Sequence, residues 1–159
     1  MATREMTVRK LRLKGESVSR IAKRVKPKTI RYLRKLAWNL LSQIIRLENS
    51  NHAGNVICYT CGASYHWREM QAGHAIGGRH NAVLLDQTII RPQCVSCNVF
   101  KRGNYPVFVA KLVRENGIDW YEEKLRESQT IKTYTRGDLE ELIKTYRHRL
   151  QRISELEGV

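Results

Sequence analysis

The residues best suited to chemistry in this chain are its four cysteines. They form two Cys-x-x-Cys pairs, Cys58/Cys61 in ICYTCG and Cys94/Cys97 in QCVSCN. The pairs stand about 30 residues apart, a spacing that suits a tetrahedral zinc site with two thiolates from each tight turn. The residues between them then form a hairpin that brings the pairs together. A redox dithiol needs one such pair, not two. The charged start, MATREMTVRK, does not read as a signal peptide, so a disulfide framework is not expected. The expectation is structural zinc, whose reduced thiolates imply a cytoplasm-like compartment. Zinc held by four thiolates has no open coordination position and cannot activate water.

Catalysis therefore has to come from groups that the zinc knuckle holds. His66, His74 and His80 lie between the cysteine pairs; QAGHAIGG follows the first pair and CNVFKRGN contains the end of the second. If Cys97 sits at a helix start, Asn98 lies in the first turn and the strand carrying His74 faces it. An imidazole opposite an amide oxygen, with room for a divalent cation, is an arrangement for cutting phosphodiesters. Neutral histidine takes a proton from water. A magnesium-type ion binds a non-bridging oxygen and the leaving 3′ oxygen.

The elements that position these groups are mostly helical. The chain has 159 residues, enough for one domain with helical extensions, and no apolar run long enough for a membrane span. Net charge is +14 and is unevenly spread: residues 1–50 carry 14 Lys/Arg against 3 Asp/Glu, while residues 51–159 carry 15 against 12. Such a field suits a nucleic-acid backbone. The division expected is a basic helical DNA-binding arm at 1–50, a zinc-bound core at 51–117 and a helical segment at 118–159. Residues 16–26 have the pattern of a short amphipathic helix. A long helix follows from Lys28 to about Asn49, with Ile30, Leu33, Ala37, Leu40, Leu41, Ile44 and Leu47 on one stripe and Arg31, Arg34 and Lys35 on another sector. Beyond the zinc region, Pro106 suits a first helical position and Gly117 a C-terminal cap. A second helix covers IDWYEEKLRE. The last begins near Asp138, with Glu141 at capping-box spacing, and carries Leu139, Ile143, Tyr146, Leu150 and Ile153 in a near-heptad seam. The stripes at 28–49 and 138–156 either pack within the chain's own core or form the surfaces of an expected homodimer.

The run AGH…QC-x-x-CN…GN resembles the HNH, or ββα-metal (His-Me finger), endonucleases, and within them the NinG (Rap) recombination nucleases of phages. It is also similar in size and cysteine plan to the phage junction-resolving endonuclease VII group. The resemblance covers about residues 8–153 and is strongest at 58–104. It implies an α+β fold: a small zinc-held ββα core embedded in helices. It implies a metal-dependent endonuclease on branched DNA, such as Holliday junctions or flaps, working as a homodimer in a bacterial host's cytoplasm. By the same resemblance His74 is the general base, Asn98 a ligand of catalytic Mg or Mn, and Cys58, Cys61, Cys94 and Cys97 the zinc ligands. Two positions depart from the usual pattern. Gly73 stands where most such nucleases have an aspartate, and Ile89 where an asparagine orients the base. Asp86 is the candidate replacement carboxylate, and His80 a candidate ligand or supporting partner. Arg79, Lys101 and Arg102 are candidate phosphate contacts. The rival expectation is a zinc protein that binds DNA without cutting it.

Overall fold

The computed structural model describes residues 28–78 and 80–157. The helix expected at 16–26, the chain before Lys28 and Arg79 lie outside the described residues. The first described helix, α1, spans Ile30–Leu47; Thr29 caps it by accepting the Tyr32 N–H at 3.2 Å. Its buried stripe steps through Leu33, Ala37, Leu41 and Ile44 to Leu47. Ile30, in the first turn, stays exposed, so the stripe starts one turn later than its sequence pattern suggests.

Two small antiparallel sheets follow. β1 (Asn55–Ile57) pairs with β2 (Ser64–His66), and β3 (Met70–His74) pairs with β4 (Ile90–Cys94). The register sets His74 opposite Ile90, Gly73 opposite Arg91 and Met70 opposite Cys94. The connection between β3 and β4 holds a short helix, α2 (Asn81–Leu84), and a 3-10 turn at Gln87–Ile89, and it buries Val83, Leu84, Leu85 and Ile89. Its apolar residues explain why so long a connection stays packed.

After β4 the chain makes one π-helical turn, Ser96–Phe100, so the helix start considered at Cys97 is a single turn that holds Asn98. The reason is local. Arg102, Gly103 and Asn104 have φ of 49°, 89° and 47°, a left-handed run that ends any helix, so α3 restarts at Tyr105–Asn116 with Pro106 in its first turn. Gly117, at φ 92°, then breaks α3 from α4 (Ile118–Ser128). The last helix, α5, spans Arg136–Glu157 and starts two residues earlier than the capping pattern at Asp138 suggests. Thr135 and Asp138 make the capping box instead: each side chain accepts the other's backbone N–H, at 2.8 and 3.2 Å.

The stripes considered for dimerisation are buried within one chain. Leu33, Ala37, Leu41 and Ile44 of α1 share one core with Leu139, Ile143 and Tyr146 of α5, together with Ile89, Ile90, Phe108 and Leu112. That core draws on all three segments of the expected division. A second cluster gathers Leu47, Val56, Trp67 and Met70 around Cys58, Cys94 and Cys97. No helix among the described residues is long and apolar enough to cross a membrane.

Arg46 joins the two clusters. In the last turn of α1, it donates to the Ser42 carbonyl at 2.9 Å and to the carbonyls of Trp67 and Met70 at 3.2 Å each, beneath the Trp67 ring. Burial lowers its pKa, a sign that the guanidinium is partly removed from water. Arg46→Met keeps the aliphatic stem but leaves partly buried carbonyls unpaired. It should lower the unfolding free energy by about 2–4 kcal/mol in urea titrations, with cysteine-bound metal retained. A loss under about 0.5 kcal/mol would remove Arg46 as the link between the clusters.

Candidate metal centre and the His74 site

The four cysteine sulfurs lie within 4.8 Å of one another, with Cys61 Sγ and Cys94 Sγ 3.8 Å apart. A tetrahedron with metal–sulfur bonds of about 2.3 Å has edges of about 3.8 Å, so the donors fit zinc in both chemistry and size. Each pair comes from a knuckle. In the first, the Gly62 N–H donates to the Cys58 carbonyl and the Cys58 N–H to the Ala63 carbonyl, closing the turn between β1 and β2. In the second, β4 delivers Cys94 and the π-helical turn delivers Cys97.

Hydrogen bonds favour a thiolate at Cys58. Burial pushes the Cys58 thiol up, but the Thr60 hydroxyl and the backbone N–H groups of Cys94, Cys61 and Thr60 bring it down to about 6. Cys94 is pushed up to about 12, by burial first and then by neighbouring sulfurs. The disagreement has one cause: a single thiolate is favoured here, and further ones repel it. A divalent ion removes that repulsion. A four-sulfur structural metal such as zinc is therefore what the site is built to hold. Metal analysis should find about one zinc per chain. Cys94→Ser should cost the fold, seen as lost zinc and a broadened thermal transition. Fully folded protein without zinc would contradict this.

His74 ends β3 and is 7% exposed. Its ring stacks on Trp38 of α1, with centroids 4.7 Å apart and planes 29° from parallel. Its Nε2 lies 3.2 Å from the Leu84 carbonyl. A carbonyl only accepts, so Nε2 carries the proton and Nδ1 is the basic nitrogen. The ring is thus held by a backbone carbonyl from α2, and Ile89, where the resemblance expects an asparagine, is buried in the core. Leu84 and Trp38 were not legible as partners of His74, because neither residue type signals the role.

Asn98 sits in the π-helical turn and its Nδ2 donates to Gln71 Oε1. Its Oδ1 would lie 3.1 Å from a Cβ placed on Gly73, the residue before His74. Asn98 thus lies beside Gly73, next to His74 in the chain, but the imidazole does not face the Asn98 amide as the sequence pattern suggests. Strand alternation puts Gln71, Gly73 and Gln93 on the Asn98 face and His74 on the α1 face.

The other expected site residues are placed as follows. Asp86 caps the 3-10 turn: Oδ1 accepts the Thr88 N–H and hydroxyl at 3.0 and 2.6 Å, and Oδ2 is 3.4 Å from Lys124 Nζ. His80 is exposed at the start of α2 and makes no cap bond there with its side chain. Arg31 and Lys35 are exposed on α1, whereas Arg34 donates to Asn81 Oδ1 at 2.9 Å and ties α1 to α2. Lys101 and Arg102 are exposed in the turn that follows Asn98.

Gln93 was missed. It is fully buried in β4, and its Nε2 donates to the Gly103 carbonyl at 2.8 Å and Thr60 Oγ1 at 3.1 Å. Its Oε1 has no hydrogen-bond partner among the described residues. A Cβ on Gly73 would fall 2.0 Å from that oxygen, so any larger residue there has to displace the Gln93 amide. A buried glutamine beside a zinc cysteine was the available signal.

No curated protein matches the chain, and no solved structure does. The family described as Bacteriophage Lambda NinG protein matches residues 2–157. With its four-cysteine centre and its small sheets set among helices, this chain belongs to the bacteriophage lambda NinG family.

Proposed function

We propose that this protein is a metal-dependent, structure-selective endonuclease that cuts branched DNA during phage recombination. The observation that carries the proposal is His74. Its ring is fixed by Trp38 and its tautomer by the Leu84 carbonyl, and the residue before it lies against the Asn98 amide. A histidine held this way is a general base. Nδ1 takes the proton from a water aligned on the scissile phosphorus, and Nε2–H keeps its bond to Leu84 as positive charge develops on the ring. Asn98 would help hold a magnesium-type ion, which when bound would supply charge neutralisation at the phosphate and the leaving 3′ oxygen. Asp86 has both oxygens engaged with Thr88 and Lys124, so the proposal gives it a capping role and leaves it outside the ion's ligands. His80 is left as a solvent-facing residue at the start of α2.

The exposed cations of α1 and of the turn after Asn98 hold the duplex backbone. Lys101 and Arg102 stand nearest to Asn98 in the chain and contact phosphates beside the site; Arg31 and Lys35 contact them farther away. A homodimer would act on paired strands of a junction, but it needs a surface other than the stripes shared by α1 and α5.

A second reading, a zinc protein that binds branched DNA without cutting it, is favoured by the low exposure of His74. One pair of measurements separates the two. On a labelled four-way junction with Mg²⁺ or Mn²⁺, His74→Ala should cut at least about 100-fold more slowly than the parent. Junction affinity and zinc content should stay close to parental. A parent that never cuts, or a His74→Ala that cuts equally fast, gives the second reading or removes His74 from the site. For binding, the double change Arg31→Ala with Lys35→Ala should reduce the log–log salt slope by about 2, since each phosphate contact contributes about 0.9. An unchanged slope would move the DNA surface off α1.

A further inference from the structure

We infer that Gln93 and Asn98 together form an oxygen site for a hard divalent cation, with the Gln93 side-chain carbonyl standing where a carboxylate would otherwise be needed. The inference deepens the nuclease reading above, but its observations and its test concern binding alone.

The orientation of the Gln93 amide is fixed by its partners. Gly103 offers a carbonyl, which accepts only, so Nε2 must face it, and Oε1 must face Gly73. That oxygen is fully buried and has no donor among the described residues, a state that costs about 1–3 kcal/mol and is rarely left without cause. Asn98 Oδ1 approaches the same place: both oxygens lie within 3.1 Å of the point where a Gly73 Cβ would sit. Two acceptor oxygens converge on a space that holds no donor among the described contacts. A cation answers both.

The donor set selects the ion. Two neutral amide oxygens suit Mg²⁺ or Mn²⁺ rather than zinc, which prefers sulfur and imidazole. Such ions keep several waters and take further oxygens from a phosphate. With no carboxylate, the protein alone holds the ion weakly. The same packing explains Gly73. A Cβ at that position would displace Oε1, so an aspartate at 73 and the present Gln93 rotamer exclude each other. This chain uses the glutamine from the neighbouring strand.

The test is an EPR titration of the zinc-loaded full chain with Mn²⁺, without DNA. The parent should bind one weak equivalent. Asn98→Asp, which puts a carboxylate oxygen at the site while Gln71 can turn its amide to donate, should bind at least tenfold more tightly. In the Asn98→Asp background, Gln93→Met should loosen Mn²⁺ at least tenfold. Because Gln93→Met also removes the bonds to Gly103 and Thr60, Gly73→Ala in that background provides a second route: its methyl displaces Oε1 and should weaken Mn²⁺ comparably. Either loss in a protein that keeps its zinc supports the inference. Mn²⁺ affinity that ignores Gln93→Met and Gly73→Ala alike, or no tightening in Asn98→Asp, overturns it. In that case Asn98 turns its Nδ2 toward Gln93 Oε1 and the two amides satisfy each other. The two readings fail separately. Mn²⁺ bound at this pair by a parent that cuts no DNA keeps the site and removes the nuclease. Cleavage that survives Gln93→Met unchanged keeps the nuclease and removes Gln93.

Discussion

Four cysteine sulfurs forced within 4.8 Å of one another are the constraint on which the rest of this molecule depends. β1 and β2 are three residues each, too short to persist as an isolated ribbon in water. The knuckle at Cys58–Cys61 joins them to β4 and to the π-helical turn, and so fixes Asn98 by its neighbour Cys97. Left without a cation, the cluster sets burial and thiolate repulsion against the hydrogen bonds at Cys58. With one, those terms cooperate, and metal binding becomes part of folding.

A second constraint is the close approach at Gly73. Gln93 Oε1 occupies the space beside its backbone, and Asn98 reaches the same place from the following turn. Next in the chain, His74 turns to the opposite face and meets Trp38 and the Leu84 carbonyl. The long helix α1 therefore has two structural duties. Its apolar stripe packs on α5, and Trp38 positions an imidazole. Arg46, in its last turn, holds the cysteine-bearing half of the molecule against that helix.

Much of this was legible in the sequence. Paired cysteines announce a metal because thiolate spacing is a local property. The α1 and α5 stripes, the Pro106 start and the Gly117 break follow from periodicity and backbone restriction, which are local too. What the stripes pack against was not legible: a heptad-like seam reads the same whether its partner is a second chain or a helix 100 residues away. The Thr135–Asp138 box was hidden by an equally good pattern one turn later. The π-helical turn depends on a left-handed run through Arg102 and Asn104, residues that seldom adopt it. Gln93 was missed because its role comes from an unmatched oxygen, which only three-dimensional packing reveals. Asp86 drew attention through its charge, yet that charge is matched by Lys124.

We propose that this NinG-family chain is a nuclease selective for branched DNA. The most direct test compares a labelled four-way junction with a linear duplex of the same sequence, each with Mg²⁺ or Mn²⁺ and each again after EDTA, using zinc-loaded full-length protein. The account predicts cuts near the branch point, a junction rate well above the duplex rate, and loss of cutting when EDTA removes the weakly held ion. Equal rates on both substrates would contradict the selectivity, and intact DNA in every reaction would contradict the nuclease.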